Sequence, residues 1–340
     1  MSDVDEMAEV TAGLFRAFFR TDADGVWFAP GGVNLIGGLP GDGLALQLAL
    51  PRGVRVAARL RDDEDLRIVS SQHSGIAEIG AADLVPGDRG RWYAYVAGVV
   101  WALRRNGHLV GGFDLLFHGD VPTGAGFASS GALACATALA VAELSHLSVS
   151  RLELMSLVRE AETGFVGVPD AAHRAAAFLA RRDHLLVLDP ADAGVEHVAF
   201  TPASLGMSVL VIDARLRPSV TVRHPGVPYA VMENERVAEA VELVKAGRLR
   251  AIGGLMTASH LSLRFDCEVA VPELDLALIA LLGAGAFGAR MNGGSVLALI
   301  EEDRAGTCLA AVRAGFERHG FAEPDGWTTV ASEGAHRVRG

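Results

Sequence analysis

The residues of this chain whose types and spacing could do chemistry begin at Val121, where it reads Val-Pro-Thr-Gly-Ala-Gly-Phe-Ala-Ser-Ser-Gly-Ala-Leu. Gly124 and Gly126 allow positive φ and a close approach of the backbone to a ligand. A run rich in Ala and Leu without proline follows, residues 128–144, and reads as a helix. The first N–H groups of such a helix have no intrahelical acceptor, and together with the helix dipole they favour an anion. Ser129 and Ser130 add hydroxyls suited to phosphate oxygens or to Mg²⁺. The chemistry suggested is triphosphate binding by Gly124, Ala125, Gly126, Ser129 and Ser130, with a plain glycine turn capped by serines as the alternative. No Lys-Ser or Lys-Thr follows the last glycine, and Gly124-Ala-Gly126 lacks a third glycine at dinucleotide spacing, so neither of those fingerprints applies.

A second candidate is Glu162. Ser150 and Glu153 make a capping-box signature, so a helix starts there. Met155, Val158 and Glu162 fall on one face of it. A carboxylate on an apolar stripe is costly unless it is paired or bound to metal. The alternatives are a salt bridge or an exposed helix end.

The elements that must position these residues alternate in type. Residues 5–19 read as an amphipathic helix and 92–105 as another, the second ended by Gly107. Residues 113–118 read as a strand with Phe113, Leu115 and Phe117 on one face, leading into the glycine loop. Residues 44–50 and 54–60 read as two strands separated by a Pro51-Arg-Gly53 turn. Further strands are expected at 26–29, 66–71, 185–189, 207–213, 295–300 and 327–331. Further helices are expected at 229–245, 249–263, 272–282 and 306–319. The pattern is α+β, and the second half carries its own strands and helices. A boundary near 195–205 divides the chain into 1–200 and 201–340.

At 340 residues, half of them apolar, a sizeable core is expected. The formal charge of −11 argues against nucleic acid or an anionic membrane as partner. Cys135, Cys267 and Cys308 lie far apart without metal spacing, which fits a reducing cytoplasm. The N-terminus is acidic, with no basic leader region, and no apolar run approaches the roughly 20 residues needed to span a bilayer. A cytoplasmic location is the expectation.

Four stretches, in this order, resemble the GHMP kinases, and within them the galactokinases. They are Ala-Pro-Gly-Gly-Val-Asn-Leu-Ile-Gly-Gly from Ala29, the glycine loop, Ala-Glu-Thr-Gly-Phe-Val-Gly-Val-Pro from Ala161, and Gly-Ala-Phe-Gly-Ala-Arg-Met-Asn-Gly-Gly-Ser from Gly285. The resemblance implies a two-domain α+β fold, a ribosomal-S5-like N-terminal domain and a ferredoxin-like C-terminal domain, with the active site between them. It implies ATP and Mg²⁺ as cofactors. Glu162 matches the family glutamate that ligates Mg²⁺, with Ser129 as the partner ligand, and Trp92 matches an aromatic near the adenine. A core aromatic is the other reading of Trp92. Asn34, Asp42 and Tyr229 are the candidate acceptor contacts.

The departures gather on the acceptor side. Galactokinases have Arg after Ala-Pro-Gly, where this chain has Gly32, and Glu-His-Thr-Asp after Asn-Leu-Ile-Gly, where this chain has a shorter Gly38-Leu39-Pro40-Gly41-Asp42. Asp42 stands near the family aspartate. The family's catalytic Asp position falls on His173 or Arg174, according to where a gap is placed, and Asp170 is the only carboxylate of that loop. Arg cannot act as a base, whereas His can. Asn292-Gly293-Gly294-Ser295 is shorter than the family's glycine run, so a tighter loop is expected. These features point to a kinase whose acceptor is a sugar-like or cyclitol molecule other than galactose, with an already phosphorylated or carboxylated one expected from the positive charge at His173 and Arg174. The alternative is a catalytically inactive pseudokinase that senses a nucleotide or ligand and works through a protein partner.

Overall fold

The structure is a computed structural model that describes residues 3–39, 42–87, 90–168, 173–189, 194–217, 227–269 and 271–340. The side chains of residues 3–5, 39, 42, 173, 174, 194, 227 and 228 lie outside that description.

An eight-stranded sheet holds β1 (Gly25–Leu39), β2 (Asp42–Leu60), β3 (Leu66–Ser70), β4 (His73–Ile79), β5 (Phe113–Gly119), β6 (His184–Asp189), β7 (Gly194–Ala199) and β12 (His336–Arg339). A four-stranded sheet, in the order β11-β8-β10-β9, holds β8 (Met207–Asp213), β9 (Gly288–Asn292), β10 (Ser295–Glu301) and β11 (Asp325–Thr329). The chain therefore returns to its first sheet at the end, where β12 pairs antiparallel with β1. Around the sheets lie α1 (Asp3–Phe19), α2 (Ala94–Arg105), α3 (Ser129–Leu144), α4 (Arg151–Glu160), α5 (His173–Leu179), α6 (Val227–Lys245), α7 (Leu249–Phe265), α8 (Pro272–Gly283) and α9 (Ala305–His319). The architecture is the expected α+β. Among the described residues, no helix is long and apolar enough to cross a membrane.

Period-two alternation explains the layering of the first sheet. Val26, Ala57, Val69 and Leu116 face α1, where Ala8 and Phe15 cover them. Their strand neighbours Trp27, Val56, Ile68, Leu115 and Phe117 point the other way, into the main core with α2 and α3. Phe113, Leu115 and Phe117 thus share a face, as their spacing requires. Helix α3 is buried along most of its length, which suits its Ala-rich, almost uncharged sequence.

Residues 44–60 were expected to split into two strands at Pro51-Arg-Gly53, and here the structure differs. One continuous strand, β2, runs through the proline. Its first part pairs with β6 at Ala45, Leu46 and Gln47, and its second part pairs with β5 from Val54 to Leu60. Pro51 sits between the two pairings, where its missing N–H breaks no ladder. Opposite it, β1 carries an irregularity between Pro30 and Gly32. The turn residues bend a strand without ending it.

Candidate functional site

The glycine loop joins β5 to α3, and its backbone does what its residue types allow. Gly124 and Gly126 stand at φ 75° and 93°, and Ala128, the residue preceding α3, is left-handed at φ 55°. The cap residue Ala128 has no side chain that could bond the first N–H groups of this largely buried helix, which leaves them for another partner. The loop is gripped from the other sheet. Asn292 Nδ2 donates to Gly126 O at 2.7 Å, and Gly294 N donates to Ala125 O at 3.1 Å. Gly32 N donates to Phe127 O at 3.1 Å. A Cβ on Gly126 would stand 2.3 Å from Asn292 O, and one on Gly293 would stand 2.7 Å from Gly126 Cα. Two glycine motifs far apart in sequence therefore interlock backbone to backbone. The C-terminal one is a tight hairpin, with Asn292 paired to Ser295 across Gly293-Gly294.

Beside this loop lies a cavity of about 390 Å³. Gly124, Gly126, Ser129, Ser130, Trp92 and Tyr95 are part of its wall. Ala125 is not: its side chain is fully buried in the core. Trp92 packs half-buried against the core, and it also lines the cavity. Tyr95 shares a hydrogen bond with Ser130, and burial, then the nearby charge of Glu162, pushes its hydroxyl pKa up. Glu162 is 5% exposed and sits in a single π-helical turn, Ala161–Val166, that continues α4. Such turns re-aim a side chain out of helical register.

The α3 amides suit phosphate oxygens, and the Ser129 hydroxyl and the buried Glu162 carboxylate, which is not part of the cavity wall, are oxygen groups of the kind a hard cation takes. Among the described residues no cluster of three or more acidic, His or Cys side chains exists. A Mg²⁺ ion would accordingly take Ser129 and Glu162 from the protein and its remaining ligands from phosphate and water.

Sequence reasoning missed three groups here. Arg217 holds the buried Asp213 through both guanidinium ends, at 3.0 and 3.1 Å, and its Cδ lies 3.2 Å from where a Cβ on Gly124 would be. His73 lines the same cavity. Tyr95 was findable, since it follows Trp92 by three residues in the helix expected at 92–105, a spacing that puts both on one side; the observed α2 starts at Ala94, after Trp92. Arg217 and His73 carry no such local signal.

The acceptor side is packed differently from the expectation. Gly32 faces α5: a Cβ there would lie 3.2 Å from Ala176 Cβ, which packs with Ala49, Ala180 and Leu186. The two departures, at 32 and at 173–174, thus adjoin. Asn34 is 5% exposed, and its side chain is consumed internally. It donates to Gly38 O at 3.3 Å and accepts from Gln47 Nε2 at 2.9 Å. Gly38 stands at φ 79°, and a Cβ there would lie 2.3 Å from Asn34 Nδ2.

The end of β1 is pinned to α6 and β9. Glu233, 1% exposed, accepts from Gly37 N at 3.0 Å and from Ser259 Oγ at 2.6 Å. Arg290 donates to Gly37 O at 2.8 Å and to Asn34 O at 3.0 Å. Asn234 Oδ1 accepts from Leu44 N at 2.6 Å. Tyr229 belongs to the core beside the second sheet. Among the described residues its hydroxyl makes no hydrogen bond of ordinary geometry, and burial, only partly opposed by the charge of Arg290, raises its pKa. Asp42 pairs through its backbone with Leu39, His173 and Arg174 open α5, and the side chains of all three lie outside the described residues. Asp170 lies outside them altogether.

Comparison with known proteins follows the same lines. Residues 94–181 match the GHMP kinases N terminal domain and 240–318 the GHMP kinases C terminal domain. Residues 13–60 match the galactokinase galactose-binding signature. A galactokinase of Streptomyces coelicolor is 34% identical over 98% of this chain and 100% of its own length. One of Mycobacterium tuberculosis is 33% identical over 92% and 98%. Among solved structures, Lactococcus lactis galactokinase complexed with galactose superposes with a TM-score of 0.88 at 23% identity, covering 98% of this chain and 100% of that one. A mevalonate kinase superposes at 0.72 with 14% identity, covering 90% and 98%. At such identities the structural likeness speaks for the fold.

Proposed function

This chain belongs to the GHMP kinases, a family of small-molecule kinases that use ATP, and on that basis we propose that it transfers the γ-phosphoryl group of ATP to a hydroxyl of a sugar-like or cyclitol acceptor other than galactose. The observation that carries the proposal is at Gly38. The galactokinase signature has a glutamate there, and in this chain the space beside Gly38 is filled by the Asn34 amide at 2.3 Å, on a backbone at φ 79°. The second departure, Gly32 against Ala176, removes an arginine from the same side of the site. The positive charge of Arg174, with His173 beside it, favours an anionic acceptor, one already phosphorylated or carboxylated.

The geometry supports the following roles for the chain's own groups. The α3 amides and the glycine loop hold the nucleotide phosphates, and the stem of Arg217, whose guanidinium is paired with Asp213, packs against Gly124. Ser129 and Glu162 would hold Mg²⁺, which when bound neutralises phosphate charge. Phosphoryl transfer depends mainly on positioning and charge neutralisation. A base adds about 10²–10⁴-fold, so His173 in place of a carboxylate slows the reaction without abolishing it. The alanine packing at Gly32 favours a second reading, a regulatory nucleotide-binding protein without transfer activity.

One screen separates the two. ADP release from Mg·ATP is measured against galactose, neutral cyclitols, and sugars and cyclitols bearing a phosphate. Turnover with the phosphate-bearing set and none with galactose is expected. Galactose as the best acceptor would overturn the proposal. ATP binding without turnover of any acceptor would establish the regulatory reading.

A further inference from the structure

Beyond Phe28, the edge of β1 that pairs with β12 is paired with no strand among the described residues. Pieces of the candidate site complete that edge instead. Gly32 N donates to Phe127 O of the glycine loop at 3.1 Å. Two residues on, and so on the same edge, Asn34 N donates to Asn292 Oδ1 at 3.1 Å. The other end of that amide, Nδ2, donates to Gly126 O at 2.7 Å. Asn34 N can only donate and Gly126 O can only accept, so one orientation of the amide satisfies both. Asn292 is 6% exposed. Arg290, two residues earlier and on the same face of β9, holds the carbonyls of Asn34 and Gly37. One buried side chain thus joins the glycine loop to the end of β1 that leads into Gly38 and the acceptor side.

The link is stiff at both ends. The peptide between Gly126 and Phe127 is planar, so its carbonyl and its N–H turn together. A phosphate that fixes the N–H groups of the loop therefore also fixes Gly126 O, on which Asn292 hangs. The amide cannot follow by releasing one partner, because a buried polar group left unpaired costs more than the hydrogen bond itself is worth. The loop's other tie to the hairpin, Gly294 N to Ala125 O, does not continue into β1 among the described residues.

We infer that Asn292 is a positioning residue that couples the two halves of the site: phosphate on the glycine loop sets the 34–37 end of β1 through its amide. The inference rests on the nucleotide reading above and deepens it. Coupling between two sites commonly amounts to about 5–150-fold, and one side chain belongs at the lower end of that range.

The test is hydrogen exchange, read amide by amide with and without saturating Mg·ADP, in the wild-type chain, Asn292→Ala and Ser295→Ala. Ser295 Oγ donates to Asn292 O at 2.7 Å, so Ser295→Ala removes a buried bond of the same hairpin and leaves both arms of the amide in place. In the wild type, Mg·ADP is expected to slow exchange at 34–37 about fivefold or more. Asn292→Ala is expected to bring that effect below about twofold, while Gly32 and the loop amides still respond. Ser295→Ala is expected to keep the effect even with a lower melting temperature. Should Asn292→Ala not fold, Asn292→Asp keeps an acceptor for Asn34 N, lacks the donor for Gly126 O, and is expected to lose the effect likewise. Undiminished slowing in the Asn292 variants would overturn the inference, as would an equal loss in Ser295→Ala. So would a wild-type chain whose loop amides respond while those at 34–37 do not, which leaves the nucleotide reading standing. A wild-type chain whose loop amides also ignore Mg·ADP would remove the nucleotide reading itself.

Discussion

Gly126→Ala should damage stability and nucleotide binding together, because one atom stands at the junction of the two glycine motifs. The backbone there is left-handed, φ 93°, which costs a non-glycine residue about 1–2 kcal/mol. The new Cβ would stand 2.3 Å from Asn292 O and 2.9 Å from Gly293 Cα, both backbone atoms. Ordinary contact begins at 3.4 Å, so the hairpin must retreat by about an ångström. That movement loosens the Asn292–Gly126 and Gly294–Ala125 hydrogen bonds, each worth about 0.5–1.5 kcal/mol. The total is about 2–5 kcal/mol, or roughly 3–7 °C in Tm for a chain of this size. ATP affinity should fall at least tenfold, roughly, since the phosphate-facing amides ride on the same loop. Calorimetry gives both readouts. Gly13→Ala is the control: Gly13 is exposed on α1 with nothing within 4 Å of a Cβ, and the change should stabilise by about 0.5–1 kcal/mol. A Gly126→Ala protein that melts within about 1 °C of the wild type and binds ATP normally would refute the interlock.

Four further outcomes are expected. Glu162→Gln should weaken Mg·ATP while leaving metal-free ATP binding nearly unchanged; equal losses with and without Mg²⁺ would remove Glu162 from the metal site. Gly38→Glu, which restores the galactokinase residue, should lower Tm and produce no galactose phosphorylation, because the Asn34 amide occupies the space; a gain of galactose turnover would contradict that packing. Glu233→Ala leaves the buried Arg290 guanidinium without its nearby carboxylate and strips Gly37 N of its acceptor, and should cost about 3–5 kcal/mol in urea unfolding; a loss under about 1 kcal/mol would show the network to be dispensable. His260 accepts from Met291 N through Nδ1, so its ring is neutral with the proton on Nε2 towards Asp275. Burial lowers its pKa, and burial likewise lowers that of His118. As pH falls through about 6.5 the unfolded chain takes up protons that the native state refuses, so stability should decline towards pH 5. His260→Leu should flatten that slope in urea midpoints, and an unaltered slope would assign the acid sensitivity elsewhere.

Much of the nucleotide side was legible in the residues. Positive φ at Gly124 and Gly126, an uncapped helix start at Ser129, the Ser150–Glu153 box and the shared face of Phe113, Leu115 and Phe117 all depend on a few neighbours along the chain. Such features survive in local sequence because torsion preferences and side-chain periodicity act over a handful of residues. Four strands were not foreseen: β4, β7, β9 and β12. Each is short, and three of them, β4, β9 and β12, lie at a sheet edge in the strand orders observed. Their existence depends on a partner supplied from elsewhere, as β12 depends on β1.

The acceptor side shows the same division. The resemblance to the galactokinase motifs marked Gly32, Gly38 and residues 170–174 as departures. They did not reveal that Ala176 packs against Gly32, or that Asn34 and Gly38 share one space. Nor did they bring His73 onto Trp92, or Arg217 onto Gly124, across long separations in the chain. Sequence by itself determined the family, the fold class and the glycine loop ahead of α3, because these are written in contiguous motifs. Which side chain fills each remaining space was decided by the tertiary structure, because close packing is a property of neighbours in space.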